Sequence, residues 1–195
     1  KIAYAGKNSP NISVYHKADS GNYKILNDIE HKYSSQFCAL DSGMFGLYYT
    51  EYPKDDSKTK QDYFVIYDTE KEKTAAKLGC DISVRSVDTD CDRFILCGTD
   101  KQYNSFVEII GKDGTVTDKI NMSDGYKECF GDVWVSSSDV KVGIRDNKAR
   151  LYNKIGIIEK DLNEYEWKVV YKPTETVGDF SVGESSAAYV IKNDY

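Results

Sequence analysis

The chain has 195 residues, 40% of them hydrophobic and 13% aromatic, and its 16 Tyr stand beside only 14 Gly and 3 Pro. That length allows a sizeable core, and aromatics recurring from end to end exclude a disordered polymer. A formal net charge of −6 with no basic stripe excludes a phosphate-binding groove of the kind that holds nucleic acid, since Lys54, Lys58 and Lys60 alternate with Asp55, Asp56 and Asp62 as in a solvated loop.

In chain order, Ile2–Ala5 is a short apolar run, Gly6–Pro10 a turn cluster, and Ile12–His16 alternates like a strand. Ser20-Gly21-Asn22 turns the chain into Tyr23–Leu26. Phe37–Leu40 and Phe45–Tyr49 follow, joined by Asp41-Ser42-Gly43, and Pro53–Asp62 is the longest loop. Four runs then come close together: Phe64–Tyr67, Ala75–Leu78, Val84–Val87 and Phe94–Cys97. Phe106–Ile110 and Val116–Ile120 flank Asp113-Gly114, a strong hairpin signal. Val133–Val135 and Val140–Ile144 are next, then Ala149–Ile155, the polar connection Glu159–Glu164, and Trp167–Tyr171. Val177–Val182 and Ala187–Ile191 close the chain. Asp161–Tyr171 is the one stretch open to a helix, but the alternation of Trp167, Val169 and Tyr171 favours a strand, so the sequence predicts strands and almost no helix. Alternation also sets Tyr48 and Tyr49 on opposite faces, one in the core and the other either open to solvent as an interface residue or, the favoured reading, packed in the core or between blades.

The runs recur. Leu40, Val87, Val135 and Val182, each the last apolar residue before a polar turn, are 47, 48 and 47 residues apart. Four short strands per repeat of that length are the dimension of a β-propeller blade. The predicted fold class is therefore all-β: a β-propeller of four-stranded antiparallel blades in a single domain spanning 1–195. The repeats fall at about 1–36, 37–82, 83–130, 131–174 and a partial 175–195. Groups of three, four, four, four and two runs make 17, not a multiple of four. Either the chain is a partial ring of about four blades cut from a larger propeller of six to eight, or it closes four blades with Val177–Val182 as the missing inner strand. The second reading leaves Ala187–Ile191 without a place and is the less favoured.

The third run of each repeat ends on a large apolar residue followed by a polar one or Gly: Tyr15-His16, Tyr67-Asp68, Ile110-Gly111 and Tyr152-Asn153. Here the sequence resembles the WD40 repeat family, whose third strand ends in Trp-Asp. Phe64-Val65-Ile66-Tyr67-Asp68 with Thr69-Glu70-Lys71 looks like that ending and its turn, with Tyr for Trp. His31 stands 36 residues before Tyr67, near the place of the family's Gly-His, with Glu30 at the Gly position. Gly98-Thr99-Asp100 looks like the polar turn after the second strand.

Chemistry-bearing residues are sparse. His16 and His31 have no second ligand type nearby in a metal spacing. Asp88, Asp90 and Asp92 alternate as in some calcium loops, but Arg93 and Thr99 stand where the loop needs Gly and Glu. Lys112-Asp113-Gly114-Thr115 is explained as a turn. No catalytic, cofactor-binding or metal-ligating residue is assigned, and no cofactor is expected. The five Cys (Cys38, Cys80, Cys91, Cys97, Cys129) are odd in number and lack a CxxC pair, which points to free thiols in a reducing, cytoplasmic setting. The sequons at Asn11 and Asn121 point the other way, to an extracellular one. No run approaches 18 apolar residues, so no membrane-spanning helix is predicted. The WD40 likeness implies a non-enzymatic protein–protein interaction scaffold within a larger assembly, its partners being other proteins or remaining blades of the same protein. A propeller-type glycoside hydrolase or a secreted or surface binding module is the alternative.

Overall fold

The computed structural model describes residues 2–5, 11–17, 23–30, 33–40, 42–51, 59–90, 92–183 and 186–192. His31, Tyr52, Cys91, the turns at 6–10 and 20–22, and most of the long loop lie outside these. Among the described residues there are seventeen strands and one α-helix. Three strands, β1 (Ile2–Ala5), β2 (Asn11–Lys17) and β3 (Tyr23–Glu30), form the first sheet. The second contains β4 (Tyr33–Ala39), β5 (Met44–Glu51), β6 (Gln61–Asp68) and β7 (Lys73–Gly79). The third contains β8 (Ser83–Asp90), β9 (Arg93–Thr99), β10 (Ser105–Gly111) and β11 (Val116–Asn121). Helix α1 (Met122–Phe130) intervenes before β12 (Lys141–Arg145), β13 (Lys148–Asn153), β14 (Gly156–Asp161) and β15 (Lys168–Tyr171). A pair, β16 (Val177–Val182) and β17 (Ala187–Ile191), completes the order. In every sheet, hydrogen-bonded neighbours are consecutive in sequence.

The chain divides into two compact units, 1–96 with 108–117, and 97–107 with 118–195. In the first, β5 and β6 are central strands buried on both faces. Phe45, Leu47 and Tyr49 lie opposite Tyr67, Val65 and Tyr63 and form one face. Gly46 and Tyr48, opposite Ile66 and Phe64, form the other. That second face packs on β9, where the Phe64 and Phe94 rings meet edge-on with centroids 5.5 Å apart. Tyr48 and Tyr49 are consequently both buried, one on each face, as the core or blade-packing reading expects. Alternation assigns opposite faces, but a central strand sandwiched between layers has no wet face. Burial, then the Asp62 carboxylate, pushes the Tyr48 hydroxyl up to about 12.

The first strands of the second and third sheets run side by side in the same direction. Gln36 donates to the Arg85 carbonyl at 2.7 Å, and Thr89 donates to that of Ala39 at 3.4 Å. An even number of antiparallel strands per sheet returns the chain to its starting direction, so successive first strands are parallel. Sequential four-stranded meanders, packed face to face with their first strands together, are propeller blades. The fold is all-β and built from them.

In the second unit, the Asp146-Asn147 turn between β12 and β13 has φ of 50° and 59°, the left-handed pair of a two-residue hairpin. Glu159 on β14 takes ion pairs from Lys148 and Arg150 on the neighbouring β13. The last two strands join this sheet through aromatics: Tyr189 stacks near Tyr171 and Phe180, and its hydroxyl donates to the Asn153 carbonyl at 3.2 Å.

Three sequence expectations fail here. Helix α1 was missed: its Asn121 side chain accepts from the Ser123 and Asp124 amides, and Met122 and Tyr126 are fully buried beneath it. Val133–Val135 is not a strand, and Ser137–Asp139 is a single 3-10 turn. Ala149–Ile155, read as one run, covers β13 and the turn before β14, and Glu159 belongs to a strand and not to a connection. The errors cancel in the count of seventeen. They do not cancel in spacing: first strands begin at Tyr33, Ser83, Lys141 and Val177, at intervals of 50, 58 and 36 residues. Tyr152-Asn153 therefore ends a second strand, whereas Tyr67-Asp68 and Ile110-Gly111 do end third strands.

Candidate functional site

Two large aromatic side chains, Tyr103 and Trp134, are each 81% exposed, against the burial that rings of this size normally find. Both line one open cavity of about 180 Å³ in the second unit, with Asn104, Ser123, Lys127, Asp132 and Val133. Three local structures bring them together.

The first is the connection from β9 to β10. Asp100 closes it: its carboxylate accepts from the Gln102 and Asn104 amides at 2.9 and 2.8 Å and from the Asn104 side chain at 2.9 Å. The Asp100 amide donates to the Asn104 carbonyl at 3.0 Å, and the Tyr103 amide to that of Asp100 at 3.1 Å. These hydrogen bonds, led by that from the Asn104 side chain, hold the Asp100 carboxyl below the usual carboxylate range. So tight a loop drives Tyr103 to φ 65°, a left-handed conformation that bulky residues rarely adopt. The cost is of order 1 kcal/mol or more, borne by a side chain with nothing to gain from burial.

The second is α1. With Met122 and Tyr126 turned inward, Ser123 and Lys127, one turn apart, share another face and reach the cavity. The helix is held down by Gly125, where a Cβ would lie 2.6 Å from Trp167 and 3.0 Å from Ile158. Glu128 accepts from the Trp167 amide at 3.2 Å, and the Tyr126 and Phe130 rings stack at 6.0 Å.

The third is the segment after the helix. Gly131, at φ 83°, ends α1 by donating to the Lys127 carbonyl at 2.9 Å, and its own carbonyl accepts from Val133. Asp132, Val133 and Trp134 then line the cavity, and buried Val135 anchors the segment while its neighbour Trp134 projects outward. The side chains of Lys127 and Asp132 make no ion pair or hydrogen bond among the described residues.

No family model matches the chain, and no curated protein does. Among solved structures it is similar to the crystal structure of HIRA(644-1017), at 8% identity and TM-score 0.45, over 96% of this chain and 52% of that one. It is similar to TolB from Acinetobacter baumannii at 10% identity and TM-score 0.41, covering 90% and 42%. A third is Pyrococcus horikoshii acylaminoacyl peptidase, at 11% identity and TM-score 0.39, covering 100% and 44%. The chain spans about half the length of the solved structures it matches.

The residues singled out in the sequence do not converge on the cavity. Asp90 and Asp92 are taken up by ion pairs to Arg93 and Lys112. Asp113 folds onto its own turn, accepting from the Thr115 amide and hydroxyl at 2.9 Å. Asp68, at the Tyr-Asp ending of β6, accepts from the Lys71 and Glu70 amides and pairs with the Lys71 ammonium, which lowers its carboxyl to about 2. Asn121 of the second sequon is the helix cap. Cys38, Cys80, Cys97 and Cys129 carry no disulfide, and burial pushes the Cys38 and Cys80 thiols up to about 12. Sequence reasoning overlooked Tyr103 and Trp134. A ring inside the polar turn Asp100-Lys101-Gln102-Tyr103-Asn104 was the available signal, while Trp134 was hidden in a run read as a strand.

Proposed function

We propose that this chain is a non-enzymatic protein–protein interaction scaffold of WD40-like blades, and that its partner docks at the cavity between Tyr103 and Trp134. The observation that carries this reading is the exposure of both rings, 81% each, on one 180 Å³ cavity. Tyr and Trp are the residues on which binding energy concentrates at interfaces, because a large rigid surface is desolvated with little entropy lost. The cavity is smaller than the roughly 300–1,000 Å³ that encloses a drug-sized ligand, so it suits a side chain of a larger partner. The WD40-like part rests on Asp68, which closes the turn after a third strand at the place of the family's Trp-Asp. A reducing, cytoplasmic setting belongs to the same proposal and is tested by counting thiols.

The test is selection of random displayed peptides on the purified protein, followed by binding to Tyr103→Ala and Trp134→Ala. Selected peptides should lose at least tenfold in affinity on either variant, with Tm unchanged because neither ring is packed. Enrichment of nothing, or of peptides indifferent to both substitutions, overturns the reading.

A further inference from the structure

We propose that the cavity between Tyr103 and Trp134 takes an arginine side chain from an extended segment of the partner, its guanidinium lying against the rings and paired with Asp132. This rests on the interaction-scaffold reading and adds the chemistry of what is bound.

Four observations converge on a cation with a flat face. The walls carry one Tyr and one Trp, both exposed, and the negative π-face of such rings attracts a cation over it. Asp132 lines the same cavity, and its carboxylate has no partner among the described residues. A carboxylate beside two rings, with no partner among the described residues, is a site for a charge-assisted hydrogen bond that a donor-bearing ligand completes. The volume of about 180 Å³ admits one long side chain. Finally, the net charge of −6 draws cationic segments toward the protein at low salt.

Arginine fits this set better than lysine. Its planar guanidinium stacks on a ring and still forks onto a carboxylate, whereas an ammonium is a compact, strongly hydrated point charge. Lys127 is the one cation on the wall, and it limits how the guest sits. It stands on an exposed helix face with a flexible stem and no ion pair among the described residues, so it is available to a backbone carbonyl of the bound segment. Asn104 and Ser123 supply further hydrogen-bonding groups for a peptide backbone.

The experiment uses acetylated hexapeptide amide pools of random sequence whose third position is fixed as Arg, Lys, citrulline, Glu or Leu. Binding to the full chain is followed by quenching of Trp134 fluorescence, Trp167 being the only other Trp. The Arg pool should bind at least tenfold more tightly than the citrulline pool, which has the same shape without the charge. That preference should fall to under threefold on Asp132→Asn, a near-isosteric change at an exposed residue that leaves the fold intact. Equal binding of the Arg and citrulline pools overturns the inference, as does an Arg preference that survives Asp132→Asn. If the Glu or Leu pool binds best, and does so through Tyr103 and Trp134, the cation is refuted while the scaffold reading stands. If no pool binds, both fall.

Discussion

Replacing Gly46 by Ala tests the face-to-face packing on which the blade assignment depends. A Cβ at this position would lie 2.3 Å from Cζ and 2.8 Å from Cε2 of Phe64, and 2.9 Å from Cδ1 of Phe94. Carbon atoms rest at about 3.5 Å, so the Phe64 ring has to retreat by roughly 1 Å. It has nowhere to go: Phe64 and Phe94 are both fully buried and already meet edge to face. Overpacking of this kind costs about 1–3 kcal/mol. Against it stands the backbone advantage of Ala over Gly inside a strand, about 0.5–1 kcal/mol. Two rings and three close approaches place the clash at the upper end, leaving a net loss of about 2 kcal/mol. For a chain of this size that lowers Tm by about 4–8 °C. Urea denaturation of Gly46→Ala, of Phe64→Leu and of the double variant measures it. Because Leu withdraws the ring edge that the new methyl strikes, the double variant should be more stable than the sum of the two single losses by about 1 kcal/mol. A Gly46→Ala protein as stable as its parent, or a strictly additive double variant, would show that the two sheets are not packed at this point.

Further outcomes are expected elsewhere. Asn121→Ala removes the cap that accepts from Ser123 and Asp124, and should cost about 1 kcal/mol while leaving the β-sheet circular dichroism unchanged. Gly125→Ala, whose methyl would strike Trp167 at 2.6 Å, should lift α1 from its seat and shift the emission of Trp167 to the red; unshifted emission refutes the docking described for the helix. Asp68 has a folded-state pKa of about 2 against an ordinary 3.8, so its stabilising bonds are fully present above pH 4 and fade as pH falls toward 2. Asp68→Asn should flatten the urea midpoint against pH within that window and change its slope little above it. With their thiols raised to about 12, Cys38 and Cys80 should label slowly at pH 8 in the folded protein. Denaturation without reductant should release five thiols, and finding only one would mean two disulfides and an oxidising compartment.

What the sequence determined by itself was the kind of structure. Short β-branched and aromatic runs, cut by polar turns such as Asp113-Gly114, leave little alternative to antiparallel strands, because both the period of two and the turn chemistry are local. The meander order followed from the same turns. The sequence could not tell which runs were strands in the stretch from Met122 to Asp161. Asn121 is as common in turns as in helix caps, and α1 is short, with Gly125 inside it and little apolar surface of its own. It is a helix because Met122 and Tyr126 find a buried seat and Trp167 closes over Gly125, contacts made by residues some 40 positions away. The same limit applied to burial. Tyr48 and Trp134 are large aromatics in similar local surroundings. Tyr48 lies beneath a second sheet, whereas on the segment after Gly131 it is Val135 that is buried and its neighbour Trp134 that is left exposed. Strand or turn is written in neighbours along the chain, but whether a ring is buried or offered to a partner depends on which layers the fold brings over it, and that is a property of the tertiary structure alone.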